Sequence, residues 1–161
     1  MNFQLLVITL VLLSGFVGSA FAQEKITIDG NVVKTLMGYN DVGDAVWVEK
    51  PLDDLLDELR NKGVIFNTQE GSFMIELFPE DAPIHVYRFL ELVKSGYYED
   101  TIFHRIIPGF MIQGGDPNTK DPESDRSTWG GGGPGYNIDN EFNTIKHVRG
   151  IVSMARQTGA D

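Results

Sequence analysis

One arginine, one histidine and one glutamine stand in a stretch that is otherwise mostly apolar. The stretch reads FHRIIPGFMIQGGDP from residue 103 to residue 117. In a strand, alternation places Arg105 on one face and His104 on the other. Pro108-Gly109 then predicts a type II turn, because proline presets one φ and glycine accepts a positive one. A guanidinium is thereby brought near a phenylalanine, a methionine and a side-chain amide, which suits an apolar ring flanked by peptide groups.

Strand and helix patterns on either side would position this stretch. The sequence predicts strands at 64–67, 72–78, 101–107, 111–113, 136–138 and 151–155. A helix is expected after the first hairpin, opened by Pro83 in its first turn and closed by Gly96. We expect His85 and Arg88 on its surface. Residues 116–135 read as a long polar loop rich in glycine and proline.

The N-terminus predicts a secretory signal peptide over residues 1–22. No charged side chain occurs before Glu24, residues 5–13 form an apolar core, and Ala20-Phe21-Ala22 has the small-x-small form of a cleavage site. A secreted or periplasmic, extracytoplasmic location follows from this interpretation. The alternative is a retained membrane anchor, in which the uncleaved leader is the contact with the membrane.

Residues 23–62 predict an N-terminal extension made of a hairpin and a short helix. Apolar pairs flank Asp29-Gly30, a hairpin signal, and Pro51 begins a helical pattern. The leucine stripe of that helix faces away from four acidic residues, Asp53, Asp54, Asp57 and Glu58. We interpret the acidic face as solvated rather than as a cation site. No function is assigned to this extension.

Composition narrows the classes of function. The net charge is −10 and cysteine is absent. The acidic balance argues against a nucleic-acid partner, because phosphate backbones are repelled. Without cysteine there are no disulfides, thiolate zinc sites, thiol nucleophiles or lipoprotein anchors.

Two further patterns bear on cofactors, and we predict neither a cofactor nor a metal. The glycines at 130–133 lack the Lys-Ser/Thr of a phosphate-binding P-loop. The acidic residues between 116 and 125 are spaced unlike a calcium loop, since Lys120 interrupts them and the central glycine is missing.

The stretch at 103–117 resembles the signature of the cyclophilins, which are peptidyl-prolyl cis-trans isomerases, or rotamases. Residues 64–99 resemble the opening hairpin and first helix of that family. Residues 130–142 and 150–156 (GIVSMAR) resemble its glycine-rich loop and the next strand. The resemblance implies a mainly β fold, a closed antiparallel barrel with capping helices, over residues 63–161.

The family pattern continues beyond the point at which this sequence ends. Members carry further strands, a loop with an aromatic residue, a pocket histidine and a second helix. We therefore expect the barrel to be incomplete over 63–161 and the sequence to be a fragment of a longer gene product. Activity is expected of the complete protein rather than of these 161 residues alone.

The resemblance assigns the site residues. Arg105 is implied as catalytic, with Phe110 and Met111 as walls of a proline pocket and Gln113 as a ligand of substrate backbone. The remaining substrate-binding positions are His104, Ala155 and Arg156. The alternatives are an ion-pair role for Arg105, core packing for Phe110 and Met111, and a satisfied barrel histidine at 104.

The implied function is isomerisation of X-Pro bonds during protein folding. Proline-containing polypeptides would be the partners, with cyclosporin-like cyclic peptides by family resemblance. One alternative is a non-catalytic proline-segment binding module or chaperone. Another is an acidic structural domain anchored by residues 1–22.

Overall fold

The computed structural model describes residues 8–11, 25–39 and 41–156. Most of the predicted leader, with its cleavage site at 20–22, lies outside these residues. The elements in chain order are β1 (Ile8–Val11), β2 (Ile26–Asp29), β3 (Val32–Tyr39), β4 (Ala45–Pro51), α1 (Leu52–Leu59), β5 (Gly63–Thr68), β6 (Gly71–Glu76), α2 (Pro83–Lys94), β7 (Arg105–Ile107), β8 (Met111–Gly114) and β9 (Ser153–Ala155). Two 3₁₀ turns, Pro117–Thr119 and Arg126–Thr128, lie between β8 and β9.

The strands form three sheets, so the predicted mainly β class is confirmed. Their orders are β7-β8-β1-β9, β2-β3-β4 and β5-β6. None of these sheets closes on itself within the described residues. The closed barrel therefore stays a prediction. No helix in the described part of the chain combines the length and apolar character needed to span a bilayer.

One compact unit contains residues 8–11, 90–138 and 144–156. Its central feature is the hairpin of β7 and β8, in which the Phe110 amide donates to the Ile107 carbonyl at 3.0 Å. Gly109 has φ 79°, which confirms the predicted type II turn. Strand β1 lies between β8 and β9 and is parallel to both.

Two strands of this unit, β7 and β9, are shorter than the sequence predicts. Strand β7 begins at Arg105 rather than at residue 101, because the amides before it bond to turns and loops. The Thr101 amide donates to the Tyr98 carbonyl, and the Ile102 amide donates to Thr119 Oγ1. Residues 136–138 form no strand, and β9 begins only at Ser153.

The other compact unit contains residues 25–39, 41–89 and 139–143. Its β2–β3 hairpin confirms the first hairpin signal, with a turn at Gly30-Asn31 and φ 59° at the glycine. Helix α1 buries Leu55 and Leu59 and leaves its acidic face exposed, as predicted. The sequence analysis missed β4, which pairs with β3 along its whole length.

The second hairpin of this unit, β5 with β6, is paired from Gly63–Glu76 to Thr68–Gly71. Phe66 stacks on its cross-strand partner Phe73 with 5.1 Å between ring centroids, and on Phe89 of α2 at 6.4 Å. These rings give the hairpin an apolar face on which the first turns of α2 pack.

Candidate functional site

The register of β7 and β8 places Arg105 directly opposite Gln113 and Ile107 opposite Met111. Opposed residues of an antiparallel pair share a face, as do residues two apart on one strand. Arg105, Gln113 and Met111 therefore lie on one face of the hairpin. The structure thus brings together three of the residues that the sequence singled out.

Burial differs across this face. Gln113 is 9% exposed and Met111 is 5% exposed, whereas Arg105 is exposed on the edge strand β7. No carboxylate is paired with Arg105 among the residues that the structure describes. The guanidinium is thus accessible beside a covered side-chain amide.

Phe110 and Met111 are adjacent in sequence but differ in setting. Phe110 occupies the last position of the turn and is 57% exposed, while Met111 opens β8 and is buried. An exposed aromatic ring offers a surface for an apolar ligand group. Met111 contributes to the packing of the strand.

His104 immediately precedes β7 and is half-buried. Neither ring nitrogen has a hydrogen-bond partner within the described part of the chain. Burial lowers the pKa of His104; the nearby Asp116 charge raises it, and Arg105 lowers it. Burial and the neighbouring guanidinium together favour the neutral ring.

Ala155 and Arg156 lie elsewhere in the same sheet. Ala155 ends β9, and Arg156 follows it as an exposed residue. Strand β1 separates β9 from β8, with Thr9 opposite both Gln113 and Ser153. The structure therefore does not place Ala155 on a strand next to Gln113.

Asp116 is a residue whose importance the sequence analysis missed. In the sequence it is only one of the acidic residues between 116 and 125, yet its buried carboxylate accepts hydrogen bonds from backbone amides of the loop that follows. No cluster of three or more His, Cys, Asp or Glu side chains suited to a metal occurs in the described ranges. Its place directly after Gly114-Gly115 is the sequence signal that could have identified it.

Helix α2 corrects a second expectation. Arg88 is 7% exposed rather than on the surface, and its guanidinium lies 5.7 Å from the Tyr87 ring centroid. His85 is half-buried, and its Nδ1 lies 2.6 Å from Glu141 Oε2. Sequence patterns could not show this contact, since the two residues are 56 positions apart.

An accessible guanidinium, a covered amide and an exposed aromatic ring therefore occur on one β-hairpin. The family model described as "Cyclophilin type peptidyl-prolyl cis-trans isomerase/CLD" matches residues 63–161, more than half of the chain. The chain belongs to this family. The resemblance inferred from the sequence is thereby confirmed.

Several curated proteins are similar to the chain. A peptidyl-prolyl cis-trans isomerase of Synechococcus elongatus is 42% identical over 98 residues, covering 59% of this chain and 61% of that protein. The isomerase CYP57 of Arabidopsis thaliana is 44% identical over 95 residues, covering 57% of this chain and 18% of that protein. A peptidyl-prolyl cis-trans isomerase-like 2 protein of Neurospora crassa is 43% identical over 102 residues, covering 62% of this chain and 16% of that protein.

The chain spans less than two thirds of the length of each of these relatives. No solved structure is significantly similar to it.

Proposed function

We propose that this protein is a peptidyl-prolyl cis-trans isomerase that accelerates X-Pro bond rotation in folding polypeptides, with Arg105 as the catalytic residue. Membership of the family supports the reaction. The single observation that carries the role of Arg105 is its cross-strand pairing with Gln113, which sets an exposed cation beside an amide.

The chemistry explains why an arginine is suited to this reaction. A peptide bond resists rotation because nitrogen donates its lone pair to the carbonyl, which gives a barrier of about 18–20 kcal/mol. In the twisted transition state the pair returns to nitrogen, which then accepts a hydrogen bond. A guanidinium aimed at that nitrogen stabilises the transition state more than either planar form. Arginine also stays protonated and presents a rigid set of donors.

The size of this contribution is limited. A hydrogen bond to a charged group is worth about 1.5–3 kcal/mol net. That free energy corresponds to about 10- to 150-fold in rate. The rest of the acceleration must come from holding the proline ring and its neighbouring peptide groups.

We assign the binding of the proline ring and its neighbouring peptide groups to other residues of the proposed site. Phe110 and Met111 form the wall of the proline pocket, Phe110 through its exposed ring and Met111 as the buried part of the wall, and Gln113 binds substrate backbone. His104 contacts substrate from the start of β7. Ala155 and Arg156 offer backbone at the end of β9.

The deciding test is the rate of isomerisation of a proline-containing peptide. Uncatalysed X-Pro rotation takes about 10–100 s, so acceleration is readily measured. We expect the protein to shorten this time and Arg105→Ala to reduce kcat/KM by about 10- to 150-fold. Arg149→Ala is the matched control, because it removes the same charge from an exposed loop residue. Equal rates for Arg105→Ala and the unaltered protein would remove this arginine from the mechanism.

The non-catalytic alternative predicts a different result in the same sample. A binding module or chaperone would hold the peptide without interconverting its isomers. Exchange cross-peaks between cis and trans signals in NMR therefore distinguish the enzyme from the module. Binding without such cross-peaks would favour the module, and no binding at all would favour the acidic structural domain.

For ligands and location, we propose proline-containing polypeptides as substrates and cyclosporin-like cyclic peptides as competitors for the same site. We further propose that residues 1–22 are removed on export to a secreted or periplasmic location. Mass spectrometry of the exported protein should find Gln23 at the N-terminus. An intact N-terminus in a membrane fraction would instead support the anchor.

A further inference from the structure

The carboxylate of Asp116 is buried directly after β8 and holds three backbone amides. The residue is 0% exposed. Its Oδ1 accepts from the Asn118 amide at 2.8 Å, and its Oδ2 accepts from the Gly132 amide at 3.3 Å and from the Gly130 amide. A carboxylate removed from water is destabilising unless hydrogen bonds replace its hydration, and these donors do so. Amides near both ends of the loop at 116–132 are therefore hydrogen-bonded to one side chain.

The glycine at position 132 is matched to this carboxylate. A Cβ atom there would lie 2.2 Å from Asp116 Oδ1 and 2.9 Å from Asn118 Cγ, closer than real contacts allow. Only a residue without a side chain lets its backbone approach the carboxylate in this way. The Asp116 carboxylate and the backbone of Gly132 thus fit closely together, and we call this pair the cradle.

The cradle extends to the residues that precede β7. A Cβ atom on Gly130 would lie 3.4 Å from His104 Nε2, so the backbone of Gly130 lies beside the imidazole ring. Thr119 Oγ1 donates to the Asp116 carbonyl at 2.6 Å and accepts from the Ile102 amide at 3.2 Å. The loop is therefore bonded to the segment that leads into Arg105.

We propose that Asp116 is a positioning residue for the isomerase site. Its carboxylate fixes residues 116–132 so that Gly130 lies against His104, next to Arg105. The catalytic part of this inference rests on the proposed function. Displacing a reacting group by about 1 Å can cost about 100-fold in rate, so the anchor contributes through the alignment of Arg105.

The test compares Asp116→Asn with two matched variants, Asp121→Asn and Asp125→Asn. All three remove one charge from the same loop. The control carboxylates are exposed, and each accepts from a single amide at 2.9 Å, that of Glu123 and that of Ser127 respectively. We expect Asp116→Asn to lower kcat by about 10- to 100-fold with KM little changed, because Phe110 lies outside the anchored loop. The control variants should retain the kcat of the unaltered protein.

Two readouts do not depend on activity. In Asp116→Asn the Gly130 and Gly132 amides should exchange with solvent faster. The pKa of His104, followed by NMR, should fall, since the Asp116 charge raises it. If Asp116 only stabilised the fold, a folded Asp116→Asn protein would keep the kcat and KM of the unaltered protein. A lower kcat together with a lower pKa of His104 therefore supports the positioning role.

The outcomes separate this inference from the proposed function. Unchanged exchange at both glycines would overturn the anchor. Faster exchange with unchanged kcat, in a protein that Arg105→Ala still impairs, would overturn the positioning role and leave the isomerase intact. If the unaltered protein does not accelerate isomerisation, the proposed function fails, and the exchange data still decide whether Asp116 anchors the loop. Should Asp116→Asn fail to fold, Gly132→Ala supplies the same comparison, because its Cβ displaces the carboxylate.

Discussion

At the turn between β7 and β8, truncation of two adjacent side chains should change the free energy of unfolding by very different amounts. Phe110 is 57% exposed and Met111 is 5% exposed. We expect Phe110→Ala to change the free energy of unfolding by no more than about 0.5 kcal/mol, because little packing is lost. Met111→Ala should lower it by about 2–5 kcal/mol, since a buried side chain leaves a cavity. Urea denaturation measures both.

Peptide kinetics on the same two variants show whether each side chain contributes to peptide binding, to stability or to both. Phe110→Ala should raise KM for a proline peptide while the protein remains as stable as before. A Phe110→Ala variant with full peptide affinity would show that the exposed ring is not part of the site. A Met111→Ala variant as stable as the unaltered protein would contradict the burial of that side chain.

His104 should make stability depend on pH. Burial lowers the pKa of His104 below the ordinary value of about 6.5. The unfolded chain therefore takes up the proton first as pH falls. The stabilisation from the neutral ring is complete above about pH 6.5 and is lost as pH falls through the lower folded-state pKa.

Urea denaturation at pH 7, 6 and 5 tests this dependence. We expect the free energy of unfolding to decline toward pH 5, and to decline less in His104→Gln. NMR titration of the ring should place its midpoint below that of an unstructured histidine peptide. A midpoint at or above the peptide value would contradict the effect of burial.

Sequence reasoning predicted that Arg105 lies near Met111 and Gln113, but not how far each side chain is exposed. The turn Pro108-Gly109 fixes the register, so alternation alone places Arg105, Met111 and Gln113 on one face. Whether a face is covered depends on other parts of the chain, which alternation does not reveal. For the same reason the sequence could not show that Asp116 binds amides 14 and 16 positions away.

At the level of elements, the start of α2 is capped by a carboxylate that is distant in sequence. Glu141 Oε1 accepts from the Ile84 amide at 3.0 Å, and Oε2 accepts from the His85 amide at 2.8 Å. The first amides of a helix lack intrahelical partners, and a negative charge there also interacts favourably with the helix dipole. We expect Glu141→Ala to lower the free energy of unfolding by about 0.5–2 kcal/mol.

Glu91→Ala is the matched control for this prediction. It removes the same charge from α2 itself, where the Glu91 carboxylate lies 3.4 Å from Lys94 Nζ near the surface. Such i,i+3 pairs contribute about 0.5 kcal/mol or less. If urea denaturation gave equal losses for the two variants, the cap would have no special effect on α2.

The elements that the sequence predicted are those with strong local signals. Glycine turns identified the β2–β3 and β5–β6 hairpins, leucine periodicity identified α1, and Pro83 with Gly96 identified α2. Strand β4 was missed because all but one of its residues are exposed, so its side chains show no buried alternation. The strand expected at 136–138 is not formed, since a strand requires a partner that its own residues do not specify.

At the scale of the molecule, the division into compact units does not follow the family match. The match begins at Gly63, whereas residues 41–62 share a unit with β5 and β6. The predicted domains at 1–22, 23–62 and 63–161 rest on sequence resemblance and stay predictions. Resemblance shows where a family pattern starts, and packing shows which segments fold together.

The predicted export of this protein has a structural consequence. Strand β1 lies within the predicted leader, and it pairs with β8 on one side and β9 on the other. Cleavage after Ala22 would remove this strand and leave β8 and β9 without the partner that joins them. We therefore expect backbone amides at 112–114 and 153–155 to exchange with solvent faster in the cleaved chain.

Hydrogen exchange measured by mass spectrometry can compare the cleaved chain with the same protein expressed without export, which keeps residues 1–22. Amides of the β2–β3 hairpin are the internal control, because they pair with each other and not with β1. Faster exchange confined to β8 and β9 would mean that the leader completes the sheet until it is removed. Equal exchange in the two chains would show that β1 does not hold these strands together. The edge of β8 that carries Gln113 would then have the same protection before and after cleavage, and leader removal would not change the proposed site.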